Sequence, residues 1–156
     1  MRRQQTLSIL EIGIGSARRT QRMIALAQLL HPEGRVRDTG IELFEARSAE
    51  AQPGLTLKQA HRQLKATGAR VQLAPGSPLE ALQRLANVVH HVDLVIISHD
   101  QQGPALEQGW TYLLRMLYEK SLVYQETQHD GRTTCELVNH AAIEARIRTT
   151  ARRRAA

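Results

Sequence analysis

Apolar runs and amphipathic segments alternate along this chain at a nearly regular interval. Short apolar stretches of buried-strand character occur at 7–13 ("LSILEIG"), 38–44 ("DTGIELF"), 70–74 ("RVQLA"), 92–98 ("VDLVIIS") and 121–127 ("SLVYQET"). Between them, apolar positions recur at helical spacing over about 19–30, 57–67, 79–89 and 105–118. The last of these shows Leu106, Trp110, Leu113, Leu114 and Leu117 on one stripe, so Trp110 is read as core. Strand and helix in alternation predict parallel strands joined by helical crossovers. The expected fold is a single doubly wound Rossmann-like α/β domain, with a mostly parallel sheet in the order 3-2-1-4-5. The Asp-Gly turn in "QHDGR" predicts that residues 132–138 return antiparallel at the sheet's far edge.

Local chemistry fixes two helix starts. Thr56 stands three residues before Gln59, and Ser77 three before Glu80 with Pro78 at the first helical position; both are capping boxes. The C-terminal "AAIEARIRTTARRR" has few large apolar residues and is expected to dock lightly or fray, with 1–5 and 149–156 as flexible basic tails.

The 156 residues suit one domain. No apolar run approaches the ~20 residues that span a membrane, and the N-terminus, with Glu11 inside its first apolar run, makes a poor signal peptide. A cytoplasmic protein is expected. The single Cys135 suits a reducing compartment, and its strand-like setting in "TTCELV" predicts a small buried thiol rather than a nucleophile. The net charge of +6 includes Arg2, Arg3, Arg152, Arg153 and Arg154 in the terminal peptides, which leaves +1 for the body and argues against nucleic acid as the partner. Lys58, His61, Arg62 and Lys65 read as a solvated helix face. The histidines show no ligand spacing, so no metal is expected. Unprotected edge strands of a small open sheet are where a homodimer would pair.

The candidate chemistry begins at "ILEIGIGSARRT", residues 9–20, where a strand ends in a glycine turn. In a parallel sheet the carboxyl ends of the strands form the ligand crevice. Gly13 and Gly15 sit there and allow a tight turn and close approach, while the helix amides that follow can receive ligand oxygens. A dinucleotide fingerprint would need a third glycine where Arg18 stands, which disfavours the alternative of an NAD-dependent oxidoreductase. Glu11 can pair with a cationic or amino group, and Glu42, at the end of the second strand, is set to accept both ribose hydroxyls, with Glu45 a nearby competitor. Ser77, after the third strand, could meet an adenine edge, although its cap role accounts for it fully. The long 45–56 connection leaves from the ligand edge and is a candidate lid.

These pieces in this order resemble the class I S-adenosylmethionine-dependent methyltransferases. The resemblance runs from residue 8 to about 126 and includes a likeness to small O-methyltransferases of the catechol and caffeoyl-CoA type through "LAPGSPLEALQRL", "VDLVIISHDQQ" and "YLLRMLYEKSLVY". It implies that Glu11, Gly13 and Gly15 hold the amino acid part of the cofactor S-adenosylmethionine and that Glu42 holds its ribose. Ser77 and Ser98 complete the implied cofactor set. That O-methyltransferase group carries D-A-D-K after the fourth strand, its first aspartate binding a metal; here the stretch reads Ser98-His99-Asp100-Gln101, so metal-assisted chemistry is not expected. The third-strand loop also lacks the group's adenine-binding aspartate, and the fold is expected to be truncated relative to the family's. His99 or Asp100 could act as general base toward a small-molecule acceptor. A non-catalytic interaction module built on the same fold is the alternative.

Overall fold

The computed structural model describes residues 5–51 and 54–156. The expected basic residues Arg2 and Arg3 therefore lie outside the described part.

A six-stranded sheet runs in the order β3-β2-β1-β4-β5-β6. The strands are β1 (Thr6–Ile12), β2 (Arg35–Glu42), β3 (Arg70–Pro75), β4 (Leu94–Ile97), β5 (Leu122–His129) and β6 (Arg132–Leu137). All neighbours are parallel except β5 and β6, which form the hairpin the Asp-Gly turn predicts. Asp130 and Gly131 at its tip both take positive φ. The helices are α1 (Arg18–Leu30), α2 (Leu57–Lys65), α3 (Pro78–Leu85), α4 (Pro104–Met116) and α5 (His140–Ala155).

The side-chain alternation of β1 divides the interior in two. Leu10 and Ile12 face a core filled by Leu82 and Leu85 of α3, Leu106, Trp110, Leu113 and Met116 of α4, and Ile143 of α5. Ile9 faces the other core, with Ile24 and Ala27 of α1, Ala60 and Leu64 of α2, and Phe44. Each fully buried Leu or Ile contributes about 1.5–3 kcal/mol. This two-faced burial, with β1 and β4 in the middle of the sheet, explains why their apolar runs are unbroken.

Four expectations need correction. The second strand starts at Arg35 rather than at residue 38, because Arg35 and Val36 pair with Thr6 and Leu7. It ends at Glu42, because Phe44 turns back into the α1–α2 core in a 3₁₀ turn, Phe44–Ala46, with φ 51. Cys135 is exposed, since β6 is an edge strand with every residue open to solvent. Residues 149–155 continue α5, a helix capped by the Asn139 side chain on the Ala142 amide and anchored by buried Ile143. Among the described residues no helix is long and apolar enough to cross a membrane.

Candidate functional site

Beyond Ile12, Gly13 donates its amide to the Ile41 carbonyl at 2.8 Å, so the β1–β2 ladder runs one bond into the turn. Gly13 has φ 89 and Gly15 φ 54, left-handed conformations that glycine adopts at no steric cost. A Cβ at Gly13 would lie 2.5 Å from Gln101 Cγ and 2.8 Å from Ser98 Cβ, whereas one at Gly15 would have nothing within 4 Å. The first glycine is thus needed for close approach, and the second faces open space. Helix α1 begins after Ala17, itself left-handed at φ 63, with no side-chain cap on its first amides. No sequence signal marks Ala17.

Glu11, near the end of β1 on the α1 face, is completely buried. Its Oε2 accepts from Arg19 Nε at 3.1 Å, and its Oε1 has no hydrogen-bond partner among the described residues. Burial pushes the Glu11 carboxyl above its ordinary value, with Thr20 and Arg19 working against that. Arg19 also donates to the Gly13 carbonyl at 3.0 Å and to Glu126 of β5. One guanidinium therefore ties the first and fifth strands together across β4. His99 Nδ1 lies 3.9 Å from Glu126 Oε2, with the ring 40% exposed. Asp38 shares the Glu11 face one strand over, opposite Ile9 in register. It is fully buried with neither carboxylate oxygen hydrogen-bonded among the described residues, and burial, reinforced by the Glu11 charge, pushes its carboxyl up to about 8.

Glu42 closes β2 where the sequence puts it. Its Oε2 accepts from the Gly15 amide at 3.1 Å and pairs with Arg47 at 3.2 Å, while its Oε1 accepts from the Leu43 amide at 3.0 Å. The glycine turn and the acidic strand end are thus one hydrogen-bonded unit. Ser77 borders it, since the Gly76 amide donates to the Glu42 carbonyl at 3.0 Å. Its hydroxyl, however, is engaged with Glu80 in the expected capping box, and those bonds hold the Glu80 carboxyl below its ordinary value. Glu45 is not at the crevice acid's position, because its Oε1 accepts from the Leu57 amide that opens α2. Ser98 lies against Gly13, and His99 and Asp100 follow in an exposed 3₁₀ turn, His99–Gln101.

The structure therefore brings Glu11, Gly13, Gly15, Glu42, Ser98 and His99 to one edge. It adds Arg19, Arg47, Gln101 and Glu126, which sequence reasoning passed over. Arg19 carried a signal, because a glutamate inside an apolar strand needs a cation and Arg18 and Arg19 open the next helix. Among the described residues no three His, Cys, Asp or Glu side chains are grouped to hold a metal ion.

No family model matches the sequence, and no curated protein does. Solved structures do match. Precorrin-6y C5,15-methyltransferase from Geobacter metallireducens GS-15 is 23% identical, with TM-score 0.51 over 83% of this chain and 58% of that one. A TehB-like SAM-dependent methyltransferase from Corynebacterium glutamicum is 12% identical, with TM-score 0.52 over 96% of this chain and 66% of that one. The CurJ carbon methyltransferase is 12% identical, with TM-score 0.52 over 96% of this chain and 34% of that one. The chain thus spans between a third and two thirds of the length of these structures. At this level of identity it is the architecture that is shared: the chain has the fold of the class I S-adenosylmethionine-dependent methyltransferases.

Proposed function

We propose that the chain binds S-adenosylmethionine at the carboxyl ends of β1, β2 and β4 and transfers its methyl group to a small-molecule acceptor without a metal. The observation that carries this reading is the 3.1 Å bond from the Gly15 amide to the Glu42 carboxylate, which joins the glycine turn and the acidic strand end in one unit. The residues suit the cofactor in charge and in space. Gly15 faces open space, and the buried Glu11 Oε1 has no hydrogen-bond partner among the described residues. Glu11, Gly13 and Gly15 would hold the amino acid part and Glu42 the ribose; Ser98 would line the crevice beside Gly13, and Ser77, its hydroxyl kept by Glu80, would only border it. Arg47 competes with the ribose for Glu42 and would have to give way.

The bound cofactor supplies an electrophilic methyl group on a sulfonium. The chain's own task is to hold the acceptor in line with that carbon and exclude water, which by itself lowers a barrier substantially. His99, within 3.9 Å of Glu126, is the group to take the acceptor's proton, with Asp100 beside it. Metal independence follows from Ser98, which stands where the O-methyltransferase resemblance puts a metal-binding aspartate.

A non-catalytic module on the same fold is the second reading, favoured by the Arg19 bridge between Glu11 and Glu126, which satisfies charges that a ligand would otherwise meet. Calorimetric titration with S-adenosylmethionine, S-adenosylhomocysteine and NADH separates the readings. Micromolar binding of the first two and none of the third is expected, with binding lost in Gly13→Arg. Failure of all three to bind would overturn the cofactor reading in favour of the module, and NADH binding alone would favour an oxidoreductase.

A further inference from the structure

The start of α4 and the end of α5 border an open groove of about 460 Å³, lined on one side by Gly103, Pro104, Glu107 and Gln108 and on the other by Thr150, Arg153 and Arg154. Arg154 donates to Gln108 Oε1 at 2.7 Å, which joins the two walls, while the Thr150 hydroxyl donates within its own helix to the Arg146 carbonyl at 3.0 Å. Among the described residues neither Arg153 nor Arg154 forms an ion pair. Two guanidinium groups thus face the groove against the single carboxylate of Glu107.

The strand ends carry the opposite balance of charge. Glu11, Glu42, Asp100 and Glu126 gather at the strand ends, opposed by Arg19 and Arg47. An anionic group would be repelled from the strand ends and drawn to the groove. Gly103 follows Ser98 by five residues, which puts the groove within about 18 Å of the crevice at full extension of the chain. The volume falls within the ~300–1,000 Å³ of small-ligand sites, and the arginine fork matches carboxylate and phosphate oxygens.

We propose that this groove is an anion-binding subsite that anchors the methyl acceptor through carboxylate or phosphate groups remote from the atom that is methylated. The word acceptor rests on the methyltransferase reading; the anion site does not.

The test titrates the intact chain at low ionic strength with citrate and, separately, with pyrophosphate, following arginine side-chain resonances. The variants are Arg153→Gln/Arg154→Gln and a control of equal charge change, Arg148→Gln/Arg152→Gln, with circular dichroism checking that α5 stays helical in both. The expected result is saturable binding of one anion, its chemistry naming the group recognised, weakened roughly tenfold or more by the groove pair and less than twofold by the control. Non-saturable binding, or equal weakening by both pairs, would overturn the subsite. So would tighter binding of a thymidine dodecamer lost equally in both variants, since α5 would then be a general polyanion surface. Titrating the same proteins with S-adenosylmethionine separates the two claims. Cofactor binding with no anion binding sinks the subsite alone, and anion binding with no cofactor binding sinks the methyltransferase reading alone.

Discussion

Gly13 and Gly15 share a motif but not a reason. A Cβ at Gly13 meets Gln101 and Ser98 within 2.8 Å and must also adopt φ 89, whereas at Gly15 only the backbone conformation resists. Gly15→Ala should therefore cost about 1–2 kcal/mol and Gly13→Ala clearly more, measurable as the difference between their denaturant midpoints. Ser77 poses a different question, because its hydroxyl is already occupied by Glu80. Ser77→Ala is expected to cost about 1 kcal/mol of stability and to leave cofactor affinity unchanged; a large loss of affinity in calorimetry would give the hydroxyl a contact with the ligand. Asp38 makes a pH prediction. Its carboxyl, raised to about 8 in the folded chain from an ordinary 3.8, binds a proton that the unfolded chain releases. Stability from this group is fully present below about pH 4 and falls as pH rises toward 8, by up to about 1.4 kcal/mol per unit. Asp38→Asn should flatten that slope in melts taken from pH 5 to 9, and an unchanged slope would refute the assignment. Glu11, Gly13, Gly15 and Glu42 were legible because a turn and a strand end are local patterns. Gln101 and Glu126 were not, since their roles arise only when distant strands meet; Arg19 and Glu126 are 107 residues apart. Arg19 and Arg47 stand close in sequence to the glutamates they pair with, but the folded turn decides which arginine meets which carboxylate.

Helices with a local start signal were read closely, as with Thr56 and Ser77, whose capping boxes both form. Elements whose limits depend on partners were read less well. The ends of β2 follow from pairing with Thr6 and from the inward turn of Phe44, neither of which is written in its own propensities. The few large apolar residues of α5 suggest a light dock or a frayed end, yet Ile143 at 0% exposure and Arg146, 4.8 Å from the centre of the Trp110 ring, hold it against α4. Ile143→Ala should cost about 2–5 kcal/mol and loosen α5 selectively, seen as faster amide exchange through residues 140–155 than in α4.

At the scale of the whole molecule, the layering follows from alternation, because a strand apolar on both faces must be covered twice. The distribution of charge does not, since it depends on which helix ends meet at the carboxyl edge. Protection is also uneven. Beyond Gln125, β5 pairs only with β6, and β6 is exposed throughout, so amides 126–129 and 132–135 should exchange well before those of β1 and β4. The protonated Asp38 beneath Glu11 makes folding a reaction with the solvent as well as with itself. With its carboxyl raised to about 8, Asp38 by itself takes up close to one proton at neutral pH as the sheet closes over it. The buffer must give that proton up, so the heat of unfolding measured in phosphate and in Tris should differ by the difference in their ionisation heats.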